Sequence, residues 1–185
     1  MRQLLILSVC TLCVLLLGGC QGPAEADSAD RSLKVTIKGG GQFPDFLVGT
    51  WKSEPLEWEI SFESNGTVSR VLHQPVRLPI IIAEGKGYRE APDGTIWDYQ
   101  LGQCQAEYDP DTRRLGVGIF VDHFLIKTPI MEMKGNMVDY FDGPVSEDGE
   151  KWNAQWIHSI SSGAPDAVPD SGEPQPMVFT KINTP

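Results

Sequence analysis

The stretch Leu56-Glu57-Trp58-Glu59-Ile60-Ser61-Phe62-Glu63 decides the fold, because apolar and polar side chains alternate along its whole length. Successive side chains of a β-strand point to opposite faces, so this order puts the apolar side chains on one face and the polar ones on the other. A helix would instead spread the glutamates around its circumference. The stretch is therefore predicted to form an antiparallel strand with one buried face.

Turn signals separate further stretches of this kind and indicate the fold class. They combine glycine with Asn or Asp, and they are Ser64-Asn65-Gly66, Pro92-Asp93-Gly94, Gly135-Asn136 and Glu147-Asp148-Gly149. Short strands spaced by such turns are typical of a barrel or a sandwich. We predict an all-β domain folded as a single antiparallel up-and-down barrel, and a β-sandwich is the alternative.

The beginning of the chain has the features of an export signal. The run from Leu4 to Leu17 is almost wholly apolar, follows Arg2, and is shorter than the about 20 residues that a membrane-spanning helix needs. Leu17-Gly18-Gly19-Cys20 then resembles the lipobox of bacterial lipoproteins. The resemblance implies that residues 1–19 are a lipoprotein signal peptide, cut off before Cys20, and that Cys20 carries diacylglycerol and a further acyl chain such as palmitate. An ordinary leader followed by an unmodified cysteine is the alternative.

Lipidation of Cys20 predicts both the location of the protein and its contact with a membrane. We expect an anchored protein of the cell envelope, facing the periplasm or the exterior, because two or more acyl chains give stable anchoring. Gln21 rather than Asp follows the cysteine, which in lipoproteins of Gram-negative type favours the outer membrane if the host has one. Residues 20–32 are predicted to be the lipidated cysteine with a flexible tether.

The folded domain is predicted to span residues 33–185. Its first stretch, Leu33-Lys34-Val35-Thr36-Ile37, alternates like a short strand, and it is compatible either with pairing at the domain edge or with continuation of the tether. Residues 163–176 are rich in Pro, Gly and acidic residues, and we expect there either a solvated loop or a lid over an opening.

Charge excludes one large class of partner. Removal of residues 1–19 takes away Arg2 and no acidic residue, which leaves 14 basic against 25 acidic residues. Such a surface repels the phosphates of nucleic acids, so we expect no nucleic-acid partner. The same charge disfavours adhesion to anionic lipids, so the membrane contact is expected to be the lipid on Cys20 alone. The sequence predicts no particular protein partner.

Cysteine and histidine spacing gives no sign of a metal site or a cofactor. After loss of the leader and lipidation of Cys20, Cys104 is the one cysteine left, and we expect it to be a small buried apolar residue. His73, His123 and His158 do not stand at the spacing of metal ligands. We therefore expect no metal and no cofactor.

Two acidic motifs invite a catalytic interpretation, and we favour neither. Asp122 and His123 are adjacent, and adjacent strand residues point to opposite faces, so they are not expected to act as an acid–base pair. Asp139 and Asp142 have the composition of a glycosidase carboxylate pair, but acids at a strand end are common. We expect a protein without catalytic activity, and an unrecognised enzyme is the third alternative.

The sequence Phe46-Leu47-Val48-Gly49-Thr50-Trp51, followed by an alternating strand, resembles the start of lipocalin-like (calycin) barrels. The resemblance implies that Trp51 closes the base of a barrel whose interior holds a small apolar ligand. In that family a basic residue, commonly Arg, comes after the last long strands as the partner of this Trp. In this chain the corresponding candidate is Lys181.

The interior aromatic residues are the candidate ligand-binding set. They are Trp51, Trp58, Phe62, Trp97, Tyr99, Phe120, Phe124 and Trp156. A small apolar ligand or lipid would be held among them if the barrel has an opening. If the same side chains fill the interior instead, the domain is a non-catalytic interaction or structural module. Both functions are compatible with the sequence.

Overall fold

The computed structural model describes residues 32–54, 56–73, 78–162 and 170–182. The predicted signal peptide, the predicted lipidation site Cys20, nearly all of the predicted tether and residues 163–169 of the predicted long loop lie outside these ranges. Within them the protein is all-β, and the helical pieces are two short 3-10 turns, Asp45–Leu47 and Ile82–Glu84. The predicted all-β class is thereby confirmed.

The described residues form fourteen strand segments. In chain order they are β1 Leu33–Lys34, β2 Thr36–Ile37, β3 Gly49–Glu54, β4 Trp58–Phe62, β5 Thr67–His73, β6 Leu78–Ile80, β7 Lys86–Glu90, β8 Ile96–Leu101, β9 Gln105–Asp109, β10 Arg114–Lys127, β11 Glu132–Pro144, β12 Lys151–Ser162, β13 Asp170–Ser171 and β14 Gln175–Ile182.

All fourteen belong to one curled sheet that forms a half-barrel. The main path of hydrogen-bonded neighbours runs β1-β5-β4-β3-β14-β12-β11-β10-β8-β7, and every pair along it is antiparallel. Strand β9 pairs with β10 beside β8, and with β2 in parallel. This antiparallel curled sheet confirms the predicted architecture at the level of a barrel or sandwich.

The stretch that decided the fold behaves as its alternation predicts. In β4 the side chains of Trp58, Ile60 and Phe62 are buried, whereas Glu57 just before the strand is exposed. The turn that follows is held by the Asn65 side chain, whose Oδ1 accepts a hydrogen bond from the Thr67 backbone N–H. The alternating pattern thus specifies the strand and its buried face together.

The segment 33–37 is part of the sheet. Leu33 pairs with Val68 of β5, and Thr36 pairs in parallel with Glu107 of β9. Hydrogen bonding therefore continues from β5 through this segment to β9 and then to β10. The inward side chains Leu33 and Val35 are 8% and 7% exposed. Of the two interpretations that the sequence allowed, pairing with the domain is the observed one.

Aromatic rings fill the lower part of the core. Phe141 makes edge-to-face contacts with Trp58 at 5.2 Å and with Phe179 at 5.5 Å between ring centroids. Trp152 stacks on Phe179 at 4.5 Å. Offset and edge-to-face pairs at these separations are the favoured aromatic geometries. These rings form what we call the aromatic base, together with Trp51, which is fully buried.

A β-bulge divides β10 into a lower and an upper half. The register shifts between Val121 and Phe124, so that Asp122 and His123 together face one residue of β11. Both side chains are exposed. The expectation that these two adjacent residues point to opposite faces is therefore wrong, because the extra residue of a bulge interrupts the alternation.

The bulge also corrects the predicted orientation of Phe120. Phe120 and Phe124 were both expected to face inward, which regular alternation would produce. Phe124 is buried, but Phe120 lies between the buried Ile119 and Val121 and has the opposite orientation. Its ring lies over Gly118 on the outer face, where a Cβ at Gly118 would come within 2.8 Å of it.

Candidate ligand site on the upper inner face

The long strands β10, β11 and β12 rise above the aromatic base and present a second set of side chains on the same, inward side. Cross-strand pairing places them together: Phe124 with Tyr99, Ile126 with Trp97 and with Met133, Met137 with Ile160, and Asp139 with His158. We call this surface the upper inner face. Its members are Trp97, Tyr99, Phe124, Ile126, Met133, Met137, Asp139, Trp156, His158 and Ile160.

Apolar side chains on this face are incompletely covered by the rest of the chain. Ile126, Met133, Met137, Trp156 and Ile160 are partly buried and pack against the core. Partly exposed apolar side chains on the inside of a curled sheet form the concave, mostly apolar lining that small-molecule sites use. Two of the five are methionines, whose flexible side chains adapt to irregular ligands.

Tyr99 owes its position to a glycine on the neighbouring strand. Gly87 of β7 pairs with Tyr99 of β8, and a Cβ at residue 87 would overlap the Tyr99 ring. Burial raises the pKa of the Tyr99 hydroxyl, so this group stays protonated at neutral pH. Tyr99 therefore adds a neutral phenol to the upper inner face.

One charged group is buried among these apolar side chains. Asp139 is 1% exposed, and its Oδ1 accepts two hydrogen bonds, from Trp156 Nε1 at 2.9 Å and from His158 Nδ1 at 2.8 Å when that nitrogen carries the proton. The His158 side chain is 31% exposed. The pairing of β11 with β12 fixes this cluster, because Asp139 and His158 are direct cross-strand partners.

The second carboxylate oxygen of Asp139 has no donor. Oδ2 is buried and no group among the described residues donates a hydrogen bond to it. A buried acceptor without a partner costs about 1–3 kcal/mol, and more when it is charged. The cluster therefore contains a carboxylate with one satisfied oxygen, Oδ1, and one buried oxygen, Oδ2, that lacks a donor among the described residues.

The base of the sheet is closed around Gly49 and Trp51. Trp51 Nε1 donates to the Leu47 carbonyl oxygen at 2.9 Å, across the 3-10 turn that precedes β3. Lys181 pairs directly with Trp51, and its Nζ donates to the Phe46 carbonyl oxygen at 3.2 Å. Gly49 has φ of +118°, and a Cβ there would lie 3.2 Å from the Lys181 side chain. The basic residue expected from the sequence thus lies beside the Gly-x-Trp stretch.

A second cation reinforces this closure. The Arg113 guanidinium lies 4.5 Å from the centroid of the Phe46 ring, at a distance typical of a cation–π contact. Its Nη2 also donates to the Ser146 carbonyl oxygen at 2.6 Å. Trp51, Lys181 and Arg113 therefore stabilise the base by donating hydrogen bonds to backbone carbonyl oxygens. These three side chains have a structural role there.

The eight predicted aromatic residues fall into three groups. Trp97, Tyr99, Phe124 and Trp156 belong to the upper inner face, whereas Trp51, Trp58 and Phe62 are buried in the lower core, and Phe120 lies outside. In the upper group Trp97 and Trp156 are partly exposed, as contact with a ligand requires, whereas Tyr99 and Phe124 are buried beside them. The lower group is packed as the filled-core alternative describes.

The contact between Asp139 and His158 is not predicted from the sequence. The available signal was phase: Asp139 stands two residues from Met137 and from Phe141, in step with residues of the buried face. A charged residue in a buried phase requires partners, because unpaired burial of charge is costly. His158 stands likewise two residues from Trp156, and only the strand register brings the two together.

A polar cleft lies elsewhere on the sheet. It has a volume of about 950 Å³, and its lining includes Gln103, Cys104, Glu107, Asp122 and Tyr140, but none of the eight predicted aromatic residues. Burial raises the pKa of the Cys104 thiol, and the nearby Asp122 carboxylate adds to the effect. Cys104 is accordingly a weak nucleophile at neutral pH.

The described ranges contain neither a set of metal ligands nor a membrane-spanning helix. No group of three or more His, Cys, Asp or Glu side chains there could hold a metal ion. None of the helical segments in those ranges has the length and apolar character needed to cross a membrane. Comparison of the chain with protein-family models, with curated proteins and with solved structures found no match.

Proposed function

We propose that the protein binds a small ligand with an apolar body on its upper inner face. The observation that carries the proposal is the set of partly covered apolar side chains, Ile126, Met133, Met137, Trp156 and Ile160, on the inside of a curled sheet. Covering about 150 Å² of apolar surface would contribute about 4 kcal/mol of favourable transfer free energy. That gain offsets part of the cost of lost translational and rotational freedom, and polar contacts of the ligand would have to add to it.

The sequence supports a location for this activity. With residues 1–19 as a signal peptide and Cys20 lipidated, the domain would stand at a membrane surface of the cell envelope. A membrane is a source of apolar and amphipathic molecules, which suits a binding site with an apolar lining. The resemblance of Gly49-x-Trp51 to lipocalin-like barrels supports the same proposal, and Lys181 stands where that resemblance places a basic partner for Trp51.

The binding proposal is tested by photo-crosslinking. The full chain in lipid nanodiscs is irradiated with an eight-carbon alcohol that carries a diazirine, and the labelled peptides are identified by mass spectrometry. We expect labelling of peptides from β10, β11 and β12, with competition by unlabelled 1-octanol. Labelling spread evenly over the exposed surface would contradict the proposal.

Two isoleucines on opposite faces of β12 offer a matched pair of variants. Ile160 lies on the upper inner face, and Ile157 is 37% exposed and points to the opposite side of the strand. Ile160→Glu is expected to abolish competitive labelling, because it places a charge in the apolar lining. Ile157→Glu is expected to leave it intact. Equal effects of the two substitutions would show that labelling does not depend on the inner face.

A second candidate function is a protein-interaction module. The hairpin between β10 and β11 ends in Ile130, which is 92% exposed, and Met131, which is 51% exposed. The Thr128 hydroxyl accepts hydrogen bonds from the backbone N–H groups of both residues and holds the tip in one shape. Site-specific crosslinking from residue 131 in cells tests this candidate, and a single dominant protein adduct would favour it.

A further inference from the structure

We propose that Asp139 anchors the polar end of the ligand, and that the ligand therefore carries a hydrogen-bond donor, an amine or a hydroxyl, on its apolar body. The inference rests on the proposed function and specifies its ligand class. It goes beyond apolar binding because it predicts which head group the site accepts and which it rejects.

The first step of the inference is that the two carboxylate oxygens of Asp139 differ in their hydrogen bonding. Trp156 Nε1 and His158 Nδ1 both bond to Oδ1, so the carboxylate is fixed from one side. Oδ2 is buried and receives no hydrogen bond from the described residues. The Oδ2 oxygen is an unpaired acceptor on a carboxylate already held at Oδ1, so a ligand donor that displaces the side chains covering Oδ2 gains a charge-assisted hydrogen bond.

The second step is the position of the carboxylate relative to the apolar lining. Met137 and Ile160 are cross-strand partners and stand one step above Asp139 and His158 on the same face. Both are partly buried, and the unbranched side chain of Met137 adopts alternative rotamers at little cost. A ligand lying over Met137 and Ile160 would therefore have Asp139 next to one of its ends.

The third step excludes acidic ligands. A carboxylate or phosphate head group offers only acceptors to Oδ2, so no hydrogen bond forms, and the two negative charges repel each other at close range. The chain as a whole carries a net charge of −10, which further disfavours anions. An ammonium head gains a charge-assisted hydrogen bond to Oδ2, and a hydroxyl head gains a weaker one.

The experiment compares three probes that differ only in their head group: octylamine, 1-octanol and octanoate. Each is titrated into the full chain in lipid nanodiscs, with empty nanodiscs as the blank. Binding is followed by the NMR signal of the Trp156 indole N–H, which bonds to Asp139. The Trp51 indole, buried in the base and bonded to Leu47, is the internal reference and is expected not to shift.

We expect octylamine to bind more tightly than 1-octanol, and both to bind at least about tenfold more tightly than octanoate. A charge-assisted hydrogen bond contributes on the order of 1.5–3 kcal/mol, and each 1.4 kcal/mol corresponds to a factor of ten. If the three probes bind equally, or octanoate binds best, the head-group inference is overturned and apolar binding stands. If none of them moves the Trp156 signal, the proposed function itself fails.

The substitution Asp139→Asn provides a sharper test, because it preserves shape and reverses polarity at one atom. The amide oxygen can still accept from Trp156 and His158, while the amide nitrogen takes the place of Oδ2 as a donor. We expect the preference to invert, with octylamine weakened and octanoate strengthened by about tenfold each. An unchanged order of the three probes would overturn the inference.

The control variant is Asp98→Asn on β8. Asp98 is exposed and points away from the upper inner face, since it alternates with Trp97 and Tyr99. This substitution removes the same charge from the chain and is expected to leave the order of the probes unchanged. Should Asp139→Asn shift the Trp51 signal as well, the order found with the unsubstituted chain still decides the question.

Discussion

Residues 33–37 pair with the sheet, and this position predicts an effect of mutations on stability that a flexible tether would not show. Leu33 and Val35 point inward, and the residues that follow each of them, Lys34 and Thr36, are exposed. Two double variants of the same five-residue segment therefore separate burial from local sequence. The inward pair is Leu33→Ala with Val35→Ala, and the outward pair is Lys34→Ala with Thr36→Ala.

The expected magnitudes follow from burial. Truncation of a buried Leu to Ala costs about 2–5 kcal/mol, and the lower part of this range applies because Leu33 keeps 8% exposure. Removal of two methyl groups from Val35 adds about 1.5 kcal/mol. The inward pair is thus expected to lower the free energy of unfolding by about 4 kcal/mol, and the outward pair to change it by less than about 0.5 kcal/mol.

Urea unfolding followed by tryptophan fluorescence measures the difference, since Trp51, Trp58 and Trp152 are buried and report on the core. With a slope of about 2 kcal/mol per molar urea, the inward pair shifts the midpoint by about 2 M. Midpoints of the two double variants that agree within about 0.3 M would refute the assignment of this segment to the sheet, because a tether has no buried face.

Four further predictions address other parts of the chain. Trp51→Phe removes the indole N–H that satisfies a buried carbonyl and is expected to cost about 1–3 kcal/mol of stability in urea unfolding, more than Trp97→Phe at the partly exposed face. Because burial raises the pKa of Cys104, iodoacetamide should modify this thiol more slowly in the folded chain than in the urea-unfolded chain at pH 8. The rate in the folded chain should rise as the pH increases past the ordinary thiol pKa. Equal rates for the folded and unfolded chains at pH 8 would contradict the burial of Cys104. Cys20→Ala is expected to abolish incorporation of radiolabelled fatty acid, and persistent labelling would contradict the lipid anchor. Deletion of Asp122 removes the bulge yet keeps both ladders in register, so it should leave the circular-dichroism spectrum intact, whereas deletion of Val117 within the regular ladder should unfold the chain.

Much of the fold could be predicted from the sequence because its determinants are local. Alternation in residues 56–63 depends only on neighbouring side chains, and the Asn65-Gly66 turn depends on backbone conformations that these two residues tolerate. The structure has the strand, the turn and the buried face where these patterns place them. These local features were therefore predictable, but the turn predicted at Gly135-Asn136 was wrong, because both residues lie inside the continuous strand β11 and pair with β12.

The bulge in β10 was not predictable in the same way. Whether Asp122 is an extra residue depends on the partners of β10, since Val121 pairs with Leu101 on one side and Met137 on the other. The sequence of β10 alone does not indicate which of its residues is left unpaired by the neighbouring strands β8 and β11. The orientation of Phe120 and of Phe124 therefore depends on long-range pairing, and the expectation for Phe120 was wrong for that reason.

The candidate site combines both kinds of determinant. Trp97, Tyr99, Phe124 and Trp156 were expected on the inside from their phase, and they do line the inward side of β8, β10 and β12. The contact between Asp139 and His158 needed the register of β11 against β12, which the sequence does not specify. The apolar lining was therefore predictable, and the polar cluster within it was not.

Asp139 is also the position at which sequence pattern and folding energetics disagree most. Its phase along β11 calls for an apolar side chain like those of Met137 and Phe141, and an apolar residue there would remove the cost of a buried carboxylate. Trp156 and His158 offset part of that cost at Oδ1, but Oδ2 contributes nothing to stability in the chain by itself. Local departures from otherwise consistent patterning are characteristic of functional sites, where stability is lost for a binding or chemical role. A ligand donor at Oδ2 would recover the missing interaction, so the energetic defect and the apolar surface above it have one common explanation.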